Sequence, residues 1–176
     1  MEHPLFLVCT HGKHDRCCAV YGRPLYDAVR ELVDEDWVWQ STHVGGDRFA
    51  GNLVTLPDGV YYGRVDAGDA LPVVEAALGG RVHLPRYRGR SCHPFPAQAA
   101  ERAVREETGL LGLAEVSVRS LARTPDGWMA TVAAGGAELE VDVRREEGEY
   151  THLTCSTTVL RRPRPYVAGI PRARAS

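Results

Sequence analysis

A short apolar run at residues 5–8 ends directly in a segment that is dense in thiols and imidazoles. The run has the length of a buried strand and is too short for a stable helix. The segment at residues 9–18 contains three cysteines and two histidines: Cys9, Cys17, Cys18, His11 and His14. Its compact polar composition predicts a loop. The chain is therefore expected to begin with a strand whose carboxyl end presents several potential metal ligands.

The rest of the first 80 residues predicts alternating strands and helices. Pro24 suits a first helical turn, and the apolar residues from Leu25 to Val33 recur at spacings of three and four. A Pro-Asp-Gly turn at residues 57–59 joins two strand-like runs into a hairpin. The predicted elements are a helix at 23–35, a strand at 37–42, a glycine-bearing loop at 43–52, strands at 53–56 and 60–65, and a helix at 69–78. The resulting order is β-α-β-β-α.

Beyond residue 80 the pattern predicts a small antiparallel appendage. A basic loop at 86–91 precedes an Ala-rich helix at 96–107, and turn sequences separate the strands that follow. The predicted strands are 115–123, 128–133, 137–144 and 152–158. Residues from 161 onward are rich in Arg and Pro and are expected to be extended or loose. We therefore predict an α/β fold with a domain at 1–110, a meander packed on it at 111–160, and a tail at 161–176.

Composition excludes several classes of function. The chain of 176 residues has no apolar stretch near the roughly 18 residues of a membrane span. No basic region precedes the apolar run at the amino terminus, so we expect no signal peptide and a cytoplasmic location. Twenty-one basic and 23 acidic residues give a net charge of −2, so we expect neither nucleic acid nor a membrane as a partner. Five cysteines in such a chain indicate metal ligands or redox thiols.

Two polar loops carry the residues best suited to chemistry. The first holds Cys9, Cys17 and Cys18, and the second holds His43 and Asp47, four residues apart. Thiolates and imidazoles suit iron–sulfur clusters, zinc or copper. If the two loops follow neighbouring strands at the same end, their ligands meet in space. The glycines of the second loop would let the backbone approach a cluster closely.

The two loops together resemble the sucrase/ferredoxin-like family. Residues 9–18 read Cys-Thr-His-Gly-x-x-Asp-Arg-x-Cys, and residues 43–52 read His-Val-Gly-Gly-x-x-x-Ala-x-Asn. Gly-Val-Tyr-Tyr-Gly at 59–63 and Tyr-Arg-Gly-Arg-Ser at 87–91 extend the similarity, which covers residues 5 to about 107. The family consists of thioredoxin-like [2Fe–2S] ferredoxins. The resemblance therefore implies a thioredoxin-like amino-terminal portion and an iron–sulfur cofactor.

The family pattern implies a cluster that is held by two cysteines of the first loop and two histidines of the second. Cys9, Cys18 and His43 match that pattern, whereas Asp47 stands at the position of the second histidine. Cys17 is a further departure, since the pattern has another residue type there. The open alternatives are ligation by Asp47, replacement by Cys17 or Cys155, and loss of the cluster. Our expected ligand set is Cys9, Cys18, His43 and Asp47.

The function implied by the resemblance is one-electron relay between a reductase and an acceptor protein. We expect an electron carrier rather than a catalyst. One alternative is a cluster-free thiol oxidoreductase that uses Cys9, Cys17, Cys18 or Cys155. Another is a zinc-binding interaction module with the same ligands. Separately, the arginines of the basic loop suit phosphate or a partner's carboxylate, and a solvated basic loop is the other interpretation of them.

Overall fold

The first half of the chain forms a five-stranded mixed sheet. The computed structural model describes residues 3–13, 15–154 and 157–174, and describes Asp47 through its backbone only. The strands are β1 (Leu5–Cys9), β2 (Val38–Ser41), β3 (Leu53–Leu56), β4 (Val60–Tyr62) and β5 (Tyr87–Arg90). Their spatial order is β2-β1-β3-β4-β5.

The pairing within this sheet confirms the predicted fold class. Strands β1 and β2 are parallel, and helix α1 (Arg16–Arg30) connects them. Strand β3 is antiparallel to both β1 and β4, and β4 is antiparallel to β5. A parallel βαβ unit that is extended by an antiparallel hairpin is the thioredoxin-like arrangement. Helices α1 and α2 (Ala70–Leu78) bury their apolar residues against the sheet in the first core, with Phe6, Leu25 and Val73 completely enclosed.

Helix α1 begins seven residues earlier than the sequence predicts. The Asp15 side chain accepts a hydrogen bond from the Cys17 backbone N–H at 3.2 Å and caps the helix there. Pro24 lies inside the helix and not in its first turn. The prediction that residues 9–18 form a loop is wrong for Cys9, which ends β1, and for the last three residues, which belong to α1. Because of this cap, Cys17 and Cys18 belong to the first helical turn.

The predicted basic loop at 86–91 is also largely a strand. Tyr87 and Gly89 of β5 are buried, while Arg88 and Arg90 alternate with them and are partly exposed. This alternation with a period of two is typical of a strand that has one face against a core. The run of arginines hides the pattern in the sequence.

Helix α3 (Phe95–Thr108) lies against a second, antiparallel sheet. That sheet contains β6 (Val116–Thr124), β7 (Gly127–Ala134) and β8 (Ala137–Arg145), in agreement with the predicted meander. Ala100 and Val104 of α3 pack in the second core with buried residues of these strands. The sheet is thus attached to the thioredoxin-like portion through a shared helix.

The carboxyl-terminal segment contributes short strands to the second sheet. Strands β11 (Tyr166–Ala168) and β12 (Arg172–Ala173) both pair antiparallel with β8. In the sequence between β8 and β11, strand β9 (Thr151–His152) pairs antiparallel with strand β10 (Leu160–Arg161). The strand predicted at 152–158 is thus present at its first residue, and residues 155–156 lie outside the described part of the chain. In the ranges described, no helix is both long and apolar enough to cross a membrane.

Candidate metal centre

Three of the four predicted ligands meet at the carboxyl ends of β1 and β2. The Sγ atoms of Cys9 and Cys18 and one ring nitrogen of His43 all lie within 4.8 Å of one another. Cys9 is the last residue of β1 and is the register partner of Ser41, the last residue of β2. His43 follows Ser41 by two residues. The parallel pairing therefore brings both loops to one edge of the sheet.

Helix α1 supplies the second thiol from its first turn. Cys18 is the third helical residue after the Asp15 cap, and its backbone N–H donates to the Asp15 carbonyl at 3.0 Å. The amino terminus of a helix carries a partial positive charge, which favours a thiolate at this position. Further along α1, Gly22 packs directly on the backbone of Cys9. This close approach sets the distance between the two thiols.

The chemistry of the three donors fits a soft metal or an iron–sulfur cluster. Cys9 and Cys18 are outside any disulfide and each is 1% exposed, and His43 is partly exposed beside them. Two sulfurs and one imidazole nitrogen that converge within 4.8 Å form a donor set typical of zinc or of a mixed-ligand [2Fe–2S] site.

Asn52 connects the loop that carries His43 to the rest of the sheet through hydrogen bonds. Its side-chain Nδ2 donates to the Gly46 carbonyl at 3.1 Å, and its Oδ1 accepts from Arg88 Nη1 at 2.8 Å. Its own carbonyl accepts from the Cys9 backbone N–H at 3.0 Å. One residue, 1% exposed, thus connects β1, the histidine loop and β5. Asn52 belongs to the motif that carries the family resemblance, but its type alone does not indicate this structural role.

Three arginine side chains lie around Phe49, at the end of the histidine loop that is farther from His43 in the sequence. The guanidinium carbons of Arg88, Arg48 and Arg64 lie 4.3, 4.5 and 5.5 Å from the centre of the Phe49 ring. Burial and the neighbouring Arg48 charge lower the pKa of Arg88. Burial and the Arg64 charge lower the pKa of Arg48 in the same way. Three guanidinium groups thus cluster around one aromatic ring in this part of the structure.

The role of Asp47 as the fourth ligand stays a prediction. Asp47 begins a short 3-10 helix, Asp47–Phe49, which follows the glycines of the histidine loop. Cys17 is disulfide-bonded and so does not offer a thiolate here. Its bond is not the vicinal one, because Cys18 is not part of a disulfide. Cys155, like His14, lies outside the described residues.

Comparison with known proteins agrees with the motifs of the two loops. The family model described as sucrase/ferredoxin-like matches residues 1–89. A curated relative from Meyerozyma guilliermondii, altered inheritance of mitochondria protein 32, is 34% identical over 95 residues. The protein of the same name from Debaryomyces hansenii is 31% identical over 96 residues. Each match covers 48% of this chain but only 34% and 35% of the relatives' lengths.

One similar solved structure is a thioredoxin-like [2Fe–2S] ferredoxin from Aquifex aeolicus. It is 23% identical, with a TM-score of 0.46, and the match covers 53% of this chain and 96% of that one. The strand order and the strand pairing of the present chain define its fold.

Proposed function

We propose that this chain, which belongs to the sucrase/ferredoxin-like family, is an electron carrier with one [2Fe–2S] cluster. Cys9, Cys18 and His43 are three of its ligands and Asp47 is the fourth. The observation that carries the proposal is the convergence of two buried cysteine thiols and one imidazole within 4.8 Å. A cluster of this type, when bound, accepts and releases one electron.

The chain's own residues would set the properties of such a centre. Cys9 and Cys18 contribute anionic sulfur, and the amino terminus of α1 offsets part of that charge. A coordinating imidazole carries no charge, and an imidazole in place of a thiolate raises the reduction potential. Asp47 restores a negative charge, so the potential is expected below that of a site with two histidines.

The burial of the ligands suggests how electrons reach a partner. Both thiols are enclosed, whereas His43 is partly exposed at the edge of the sheet. An exposed ligand shortens the distance between the centre and a docked protein. We therefore place the docking of the reductase and of the acceptor on the His43 side. A cytoplasmic location and the absence of catalysis on a small substrate are parts of the same proposal.

Ligand substitution tests the proposal against its alternatives. Cys9→Ser, Cys18→Ser and His43→Ala should each lose iron and acid-labile sulfide after anaerobic purification. Cys92→Ser is the matched control, because Cys92 is a free but exposed thiol and is not a member of the trio. It should retain the wild-type content. Stoichiometric zinc in place of iron would favour the zinc module. Iron-free protein with redox-dependent thiol counts would favour a thiol oxidoreductase, and either result contradicts the carrier.

A further inference from the structure

A cavity of about 810 Å³ lies beside the candidate metal centre and is not used by the proposed electron transfer. Its lining includes Arg48, Arg64, Arg86, Phe49 and Tyr21. Cavities of roughly 300–1,000 Å³ are the size class that binds small organic molecules. The combination of arginines with two aromatic rings indicates an amphipathic occupant.

The positive charge in this cavity is only partly neutralised by the protein. Arg86 pairs with Asp69 at 2.7 Å, and the Asp66 carboxylate, which also lines the cavity, lies 3.8 Å from the Arg86 guanidinium. Asp66 also caps a short 3-10 helix, since its side chain accepts from the backbone N–H groups of Gly68 and Asp69. Arg48 and Arg64, by contrast, form no ion pair with a carboxylate in the part of the chain that the structure describes.

The two unneutralised guanidiniums are held in place before any ligand arrives. Both lie over the ring of Phe49, at 4.5 Å for Arg48 and 5.5 Å for Arg64. The Arg64 backbone N–H donates to the Phe49 carbonyl at 2.8 Å. Its φ of +57° is the one positive value at a non-glycine residue within the described ranges. This left-handed conformation destabilises a residue with a Cβ by roughly 1–2 kcal/mol, so the surrounding contacts must stabilise it.

We propose that this cavity binds a small organic anion that carries phosphoryl or carboxylate groups. Arg48 and Arg64 form charge-assisted hydrogen bonds to the anionic groups, for which the planar guanidinium is suited. Tyr21 and Phe49 pack against the apolar part of the ligand. Binding of the anion relieves the repulsion between neighbouring guanidiniums, which is the physical reason for the affinity.

A small anion fits these observations better than an acidic protein surface does. The arginines line a concavity with an aromatic wall, and a protein partner would need a protruding acidic side chain to reach them. The ligand site depends on the arginines and Phe49, and not on Cys9, Cys18 or His43. Failure of the metal proposal therefore leaves this inference standing, and failure of this inference leaves the metal proposal standing.

Calorimetric titration of the full chain with phenyl phosphate, and separately with benzoate, tests the inference, because each probe carries one anionic group and one apolar ring. At about 0.15 M ionic strength, where exposed charges are screened, at least one probe should bind saturably. Arg48→Gln and Arg64→Gln should each weaken that binding by about tenfold or more. Arg119→Gln is the matched control, because Arg119 is an exposed arginine on β6 outside the cavity. It should bind the probe as the wild type does.

Thermal unfolding of each variant verifies that the substitutions leave the fold intact. The identity of the probe that binds distinguishes a phosphoryl from a carboxylate ligand, and either supports the inference. Saturable binding of neither probe would overturn it, as would equal weakening by Arg119→Gln. Binding of an acidic protein without binding of either probe would likewise overturn it and would identify the cavity as a protein-docking surface.

Discussion

Gly22 of helix α1 lies directly against the carbonyl oxygen of Cys9, so closely that a Cβ on Gly22 would overlap that oxygen. Helix α1 and strand β1 can therefore come this close together only because residue 22 has no side chain. Cys18 is one turn before Gly22 on the same helix and is a neighbour of Cys9 in the candidate centre. The distance between the two thiols thus depends on a glycine that is not itself a ligand.

The substitution Gly22→Ala tests this dependence. In an exposed helix the change would stabilise the chain by roughly 1 kcal/mol. Here the overlap with the Cys9 carbonyl pushes α1 away from β1, and the expected net effect is destabilisation of about 1–3 kcal/mol. The bound metal content should fall as well. Urea unfolding and metal analysis measure the two effects. Gly169→Ala is the control, because a Cβ there meets only ordinary van der Waals contacts; an equal loss in both variants would contradict the account.

Asn52→Ala tests the anchoring of the histidine loop. The change leaves the half-buried Arg88 guanidinium without its acceptor and removes one of the two hydrogen bonds that the Gly46 carbonyl accepts. We expect destabilisation of about 1–3 kcal/mol and weaker metal retention, because buried polar groups lose their partners. Chemical unfolding and metal retention during dialysis measure these effects. Gln40→Ala removes an exposed hydrogen bond to Thr10 and should change stability by less than about 0.5 kcal/mol. Unchanged retention in Asn52→Ala would refute the anchoring role.

The ion pair between Glu101 and Arg105 is fully buried within helix α3. Arg105 Nη2 donates to Glu101 Oε1 at 2.9 Å, and both side chains are 0% exposed. Glu101→Ala leaves a buried guanidinium without its counter-charge, so a loss of about 3–5 kcal/mol is expected. Glu106→Ala breaks an exposed pair with Arg102 in the same helix and should cost about 0.5 kcal/mol or less. Equal unfolding free energies for the two variants would contradict this prediction.

The residue at position 47 should control the reduction potential. Asp47→His replaces an anionic carboxylate with a neutral imidazole, so a bound cluster carries one negative charge fewer. The potential should rise by on the order of 100 mV, as expected from the effect of imidazole ligands. A redox titration followed by visible absorption measures the shift. Asp126→His makes the same change of charge in an exposed turn and should leave the potential in place. Equal potentials for wild type and Asp47→His would argue against ligation at position 47.

Much of the fold is predictable because its signals are local. The apolar run at β1, the Pro-Asp-Gly turn between β3 and β4, and the turns of the second sheet all identify their elements in the sequence. The positions of Cys9 and His43 follow from the strands that precede them. Two parallel neighbouring strands must bring these loops together, and the structure has that pairing.

The remaining features depend on tertiary contacts that no local pattern displays. The early start of α1 depends on one hydrogen bond from Cys17 to Asp15, which a loop composition conceals. The importance of Gly22 and Asn52 appears only when β1, α1 and β5 are packed together. The strands β11 and β12 are only three and two residues long, and they form by pairing with β8.

The central claim is that this chain holds a [2Fe–2S] cluster at Cys9, Cys18 and His43. The most direct test is the visible absorption spectrum of anaerobically purified protein, together with assays of iron and acid-labile sulfide. The account predicts a brown protein with about two irons and two sulfides per chain. A protein that is colourless as purified and stays colourless after reconstitution with iron and sulfide would contradict it.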